Sequence, residues 1–326
     1  MALNAVLQSL DLLDAATVTG QDVADALRTA GVPDVEVKRF TGKQGSTDFV
    51  RAVVPGARGR RAGGDAPTLG IVGRLGGIGA RPEKIGLVSD GDGAVAAVAC
   101  ALKLGRMARK GDRLPGDVLI STHVCPDAPT IQHPVVTMMN SPVDMATLNA
   151  EEVLPEMEAV LTVDTTRGNR VVNHRGIAIS PTVMQGWILR ISEDLLTIQQ
   201  QVTGRMPVVL PITMQDITPY GNDLFHVNSV LQPATSTDAP VVGVALTAEV
   251  AVPGSATGAS HPGDIELAVR FCLEVAKAFG QGKCRFHDAE EWAAIQKRYG
   301  SMKVLQTLGA RRATWEATRN AENRSS

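Results

Sequence analysis

Five short apolar runs punctuate the chain, each followed at once by a cluster of polar residues. Residues 68–72 lead to Arg74-Leu75-Gly76-Gly77, residues 117–121 to His123-Val124-Cys125-Pro126-Asp127, and residues 159–163 to Asp164-Thr165-Thr166-Arg167. Residues 207–212 lead to Gln215-Asp216, and residues 240–246 to Thr247-Ala248-Glu249. Short uninterrupted runs of this kind, rich in β-branched residues, mark strands buried on both faces of a parallel sheet. Apolar residues three and four apart predict helices over 93–107 and 264–279. The same spacing over 4–31 is divided into two helices by Val18-Thr19-Gly20-Gln21-Asp22. The pattern predicts an α/β fold in three layers, a mainly parallel central sheet with helices on both faces. In such sheets the ligand crevice lies outside the carboxyl ends of the strands, so the polar clusters are expected to converge on one cleft. Residues 1–286 read as one α/β domain and 287–326 as a polar helical tail, disordered over 320–326. The Gly- and Arg-rich segment 56–67 reads as a mobile surface loop.

Charge narrows the partners. Lys plus Arg total 32 against 34 Asp plus Glu, a balance without the long-range field that draws nucleic acid. No segment approaches the roughly 20 uninterrupted apolar residues of a membrane span, and residues 1–20 lack the basic start and cleavage site of a secretory signal. Cys100, Cys125, Cys272 and Cys284 show no paired CxxC spacing, so neither a disulfide framework nor a four-cysteine zinc site is indicated. A cytoplasmic protein is expected, acting on a small molecule or short peptide.

Several residues carry candidate chemistry. If the strand continues through 121–125, His123 and Cys125 face one side with β-carbons roughly 7 Å apart. With Asp127 they offer imidazole, thiolate and carboxylate, all ligands of zinc or a similar ion; a buried thiol and a satisfied core histidine are the alternative. Asp90 and Asp92 lie in GLVSDGDGAVAA, a glycine-rich turn before a helix. Neighbouring carboxylates there suit a cation, and Asp92 is the better candidate for an N-cap. Asp164 ends an apolar strand, where burial without a partner is costly; Arg167 or Arg170 offers a purely structural pairing. His261 lies in TGASHPGDIE, a Gly- and Pro-containing loop of the kind that carries function. His133, His226 and His287 read as structural or exposed, and His174 is left open.

The order of GIVGRLGG, SDGDGAVAAVACAL, DVLISTHVCPD, LTVDTTRGN and ASHPGDIELAVRF resembles the zinc-dependent exopeptidase superfamily, especially its leucyl-aminopeptidase and tetrahedral-aminopeptidase branches. The whole chain also looks like a prokaryotic domain family of unknown function. The superfamily resemblance implies a hydrolase of an amide or peptide bond that uses a divalent metal, zinc. Asp90, Asp164 and His261 carry over as metal ligands, and His123, Cys125 or Asp127 is expected to supplement them. Arg74 stands where the superfamily has its first histidine ligand, and Gly76 where it has the adjacent aspartate. The stretch from His123 to Asp127 replaces the catalytic glutamate and its metal-binding neighbour. At most one tightly bound ion is therefore expected. Arg74 is expected to bind a substrate carboxylate or to pair with Asp90 or Asp164. Asp127 or Glu249 is the candidate general base, with His123 and Cys125 as further catalytic candidates. Two competing readings remain: a metal-free enzyme with Cys125 as nucleophile and His123 or His261 as base, and a non-catalytic binding or assembly protein on the same scaffold. The related branches also imply a homo-oligomer.

Overall fold

A computed structural model of the protein describes residues 1–76, 79, 87–131, 138–166, 168–250 and 260–309. Gly77, His133, Arg167 and the 320–326 terminus lie outside the described residues. The chain begins with helices α1 (Ala2–Leu13) and α2 (Gly20–Ala30), then a hairpin of β1 (Asp34–Gly42) and β2 (Gly45–Val54). It continues through β3 (Leu69–Gly73), α3 (Asp92–Arg109), β4 (Val118–Val124), the short β5 (Thr130–Ile131) and β6 (Met138–Met139), α4 (Met145–Glu152) and β7 (Ala159–Thr165). Then come β8 (Gly176–Ile179), β9 (Val183–Met184), β10 (Trp187–Ile188), α5 (Glu193–Thr203), β11 (Val241–Thr247), α6 (Pro262–Gly280) and α7 (Ala289–Tyr299).

The main sheet runs β1-β2-β4-β3-β7-β11-β9-β10, with β8 also pairing β11. Its centre, β4-β3-β7-β11, is parallel throughout, and these are four of the five apolar runs. Antiparallel hairpins complete both edges. The fifth run, 207–212, makes only a single bridge from Val209 to Ile179, because Pro207 and Pro211 remove two of the donors a ladder needs.

Successive strand residues point to opposite faces, and both faces are buried. Ile71, Ile120, Leu161 and Val244 join one core with α1, α2, α3, α5 and α6. Val72, Leu119, Val160 and Ala245 join the other. That second face is covered by Leu210, Ile217, Val230, Leu231 and Ala234, from a long irregular segment of short 3-10 turns, and by α4. The expected helical layers on both faces are therefore corrected: the long helices gather on one side, which leaves the other open to a cleft.

Local signals explain the joints. Thr19 and Asp22 form a reciprocal capping box at the start of α2, and Gly31 ends it in the left-handed region, with φ of 105°. The 56–67 loop is pinned, because the buried Asp117 carboxylate accepts from the Gly56 and Arg61 amides. The tail is tied down as well: Trp187 Nε1 donates to Gly300 O, and Gln306 donates to Ala234 O and Thr237 O. Asp92 is the first residue of α3 rather than its cap, and its carboxylate accepts from Ser260 Oγ.

Helix α3 starts against the end of β3, and two glycines permit it. A β-carbon at Gly93 would stand 1.9 Å from Arg74 O and 2.4 Å from Val163 O, and one at Gly73 would stand 2.4 Å from Gly93 O. These are backbone obstacles that no side-chain rotation relieves. Gly93→Ala is accordingly expected to cost about 3 kcal/mol and to shift the urea-denaturation midpoint downward at unchanged slope.

Candidate active site

The carboxyl ends of β3, β4 and β7 carry Arg74, His123 and Asp164, and the turn before α3 brings Asp90 beside them. Arg74 is almost fully enclosed, at 1% exposure. Its Nε lies 2.6 Å from Glu152 Oε2, Nη2 donates to Asn149 Oδ1 at 2.6 Å, and Nη1 lies 2.9 Å from Met145 Sδ. Those three partners share one face of α4, spaced three and four apart. The other Glu152 oxygen meets His123 Nδ1 at 2.5 Å, while His123 Nε2 accepts from the Gly76 amide at 3.0 Å. Acceptance at Nε2 fixes the proton on Nδ1, facing the carboxylate. A buried chain Arg74–Glu152–His123 therefore spans three elements.

Above it lies a cavity of about 950 Å³. Asp90, Thr165, Tyr220, Ser229 and Gln232 supply polar groups, and Leu75, Met139, Val143, Met145, Leu148 and Pro219 supply apolar ones. Asp164 is buried directly behind Ser229, whose hydroxyl donates to Asp164 Oδ2 at 2.6 Å. The Thr165 amide donates to Oδ1 at 2.7 Å. The Asp164 carboxyl is pushed up to about 6. Burial is the main cause; the hydrogen bonds from Ser229 and Thr165 and the charge of Arg74 oppose it, while Glu152 adds to it. The Tyr220 hydroxyl is raised above its ordinary value, by burial first and then by the nearby Asp164 charge.

The expected site is thus partly assembled and partly reassigned. Asp90 lines the cavity, and Asp164 reaches its wall through Ser229. Arg74 pairs with Glu152, not with Asp90 or Asp164, and its guanidinium is enclosed and engaged, so it is not open to a substrate carboxylate. His123 has both nitrogens in use. Cys125 is buried; its thiol donates to Ser46 O at 3.4 Å and is pushed up to about 12 by burial, so no thiolate forms near neutrality. Asp127 and Glu249 are exposed, and neither lines the cavity. His261 is exposed at the N-cap of α6 without a side-chain capping bond. Glu152, Ser229 and Tyr220 went unremarked in the sequence. The paired acids in NAEEV hint at Glu152 and the QDITPYGN turn at Tyr220, while Ser229 lies in neither.

A metal tests this donor set. His123 has no lone pair to give, and His261 is solvent-facing. Among the described residues no three His, Cys, Asp or Glu side chains are grouped to hold an ion. Asp90 and Asp164 alone are too few ligands, so the described residues do not fit the expected zinc site.

Together the parallel centre, the antiparallel edges and the cleft at the strand ends define a mixed α/β protein whose strand ends open on a cavity of mixed polar and apolar lining. No helix among the described residues is long and apolar enough to cross a membrane. The chain belongs to the DUF1177 family, proteins of unknown function, whose pattern matches residues 38–309. No curated protein matches it. Among solved structures it is similar to the bottromycin maturation enzyme BotP, at 18% identity and a TM-score of 0.54, covering 86% of this chain and 70% of that one. A structure of BotP in complex with Mn gives 17% identity and a TM-score of 0.52, with 86% and 71% covered. At these identities the likeness is one of fold.

Two outcomes follow from the buried charges. Glu152→Gln leaves the Arg74 guanidinium without its carboxylate and is expected to cost about 3–5 kcal/mol in urea denaturation. Adding Arg74→Met should recover much of that loss. The Asp164 carboxyl is raised in the folded protein relative to the unfolded chain. Its contribution to stability is therefore full below about pH 4 and is lost as the pH rises through about 6. Asp164→Asn should flatten that stretch of the stability–pH curve, measured on chelator-treated protein.

Proposed function

We propose that the cleft hydrolyses an amide or peptide bond of a small substrate, with Asp164 supplying the acid–base chemistry. One observation carries this reading. A carboxyl pushed up to about 6 sits at the end of the central strand β7 and reaches a 950 Å³ cavity through a single hydroxyl. A group poised near the working pH transfers protons in both directions. The position is where open α/β sheets place their ligands, and the fold is shared with a maturation enzyme. The resemblance to zinc exopeptidases supports the same reaction class. No step is derived through a metal, because the described residues do not fit one. Asp90 and Gln232 line the wall and orient the polar end of the substrate, and the apolar residues of α4 receive its side chain.

A screen of dipeptides and acyl-amides is the test. Turnover should appear, and Asp164→Asn should lower kcat on the order of 100-fold or more with little change in KM. No turnover of any substrate by the wild-type chain would end this reading.

The engaged Arg74–Glu152–His123 chain favours a second reading, a binding protein on the same scaffold. It consumes polar residues at the strand ends in structure rather than leaving them for reaction. A compound that raises the melting temperature without being turned over would support it.

A further inference from the structure

Ser229 is the group through which Asp164 meets the cavity, and it is held from both sides. The Asp216 carboxylate accepts from the Val227 amide at 2.7 Å and the Asn228 amide at 2.9 Å. On the other side Val230 is fully buried, and its carbonyl accepts from Thr162 Oγ1. The Ser229 carbonyl itself accepts from the Gln232 amide at 2.9 Å. The backbone is thus fixed at Asn228 and Val230, while the side chain between them lines the cavity and donates to Asp164. Tyr220 lines the same cavity as Ser229.

We infer that Ser229 is a nucleophile, that Asp164 is its general base, and that the hydrolysis proposed above proceeds through an acyl-Ser229 intermediate. A hydroxyl bonded to a base, with the base oriented by a third group, is the arrangement that activates a serine; here the Thr165 amide orients the base. Ser229 Oγ forms a bond to the substrate carbonyl carbon as its proton passes to Asp164 Oδ2. The carbonyl oxygen takes up the electron pair, with the Tyr220 hydroxyl as donor to it. Collapse breaks the carbon–nitrogen bond, and the leaving amine takes the proton from Asp164. Water then attacks the acyl carbon, giving its proton to Asp164. Release of Ser229 Oγ, which recovers that proton, yields the carboxylic acid product. Atoms balance with water as the one co-reactant.

This inference rests on the hydrolase reading but fails separately from it. The full chain is treated with a fluorophosphonate, and the adduct is mapped by peptide mass spectrometry. One adduct per chain is expected, on the peptide carrying Ser229, unaffected by chelator and absent in Ser229→Ala. In Asp164→Asn labelling should slow at least about ten-fold, with far-UV circular dichroism unchanged. No adduct, an adduct elsewhere, or labelling indifferent to Asp164→Asn overturns the inference, and the last two readouts do not depend on Ser229→Ala folding. Peptide turnover that survives Ser229→Ala would also overturn it while leaving the hydrolase reading in place.

Discussion

The buried ion pair between Arg74 and Glu152 holds the cleft in shape. Arg74 leaves the end of β3, and Glu152 closes the last turn of α4, so one contact ties the central sheet to the helix that walls the cavity. The pair sits in a medium where an uncompensated charge is very costly, so neither residue tolerates displacement of the other. His123 takes the second Glu152 oxygen and Asn149 takes the far end of Arg74. Asn149 in turn donates to Gln232 O and Thr235 Oγ1, which links the same contact to the opposite wall. Ser121 Oγ adds a bond to Glu152 O. The result is a rigid frame built from polar groups whose partners are specified one by one.

This frame also fixes the character of the opening it surrounds. Its one guanidinium is spent below the floor, so the charged side chains on the described lining are Asp90 and Asp144. Asp144 is itself engaged as the N-cap of α4. Most of the remaining lining is apolar or neutral, and the surface that a substrate meets is thus far less polar than the strand-end residues suggest.

The parallel centre was legible because a strand covered on both faces must be apolar throughout, and residues 68–72, 117–121, 159–163 and 240–246 are. The β1–β2 hairpin was not, since β1 buries only Val35 and carries Glu36 and Lys38 together on one exposed face. Residues 207–212 are as apolar as a strand, yet their prolines leave them outside the ladder. At the site, Asp90 and Asp164 were legible as carboxylates at strand and turn ends. Glu152 was not, because Glu151 and Glu152 look alike in sequence. Only the fold sends Glu151 to Lys38 and Arg51 at the edge and Glu152 into the interior. Ser229 lies in a stretch with no periodicity at all, and its position depends on Asp216 thirteen residues earlier.

The properties of Asp164 follow from how Arg74 is used. A guanidinium near a buried carboxylate ordinarily keeps that carboxylate ionised. Here the Arg74 pull ranks below burial and below both hydrogen bonds, and Glu152 pushes the other way. Glu152 opposes its partner's effect at Asp164, desolvation is the largest influence, and the carboxyl is raised. Had Arg74 paired with Asp164, as its place in the sequence suggested, the aspartate would be a fixed anion in a structural bridge. By pairing with Glu152 the arginine ties β3 to α4 and leaves the Asp164 carboxylate to the Ser229 hydroxyl and the Thr165 amide.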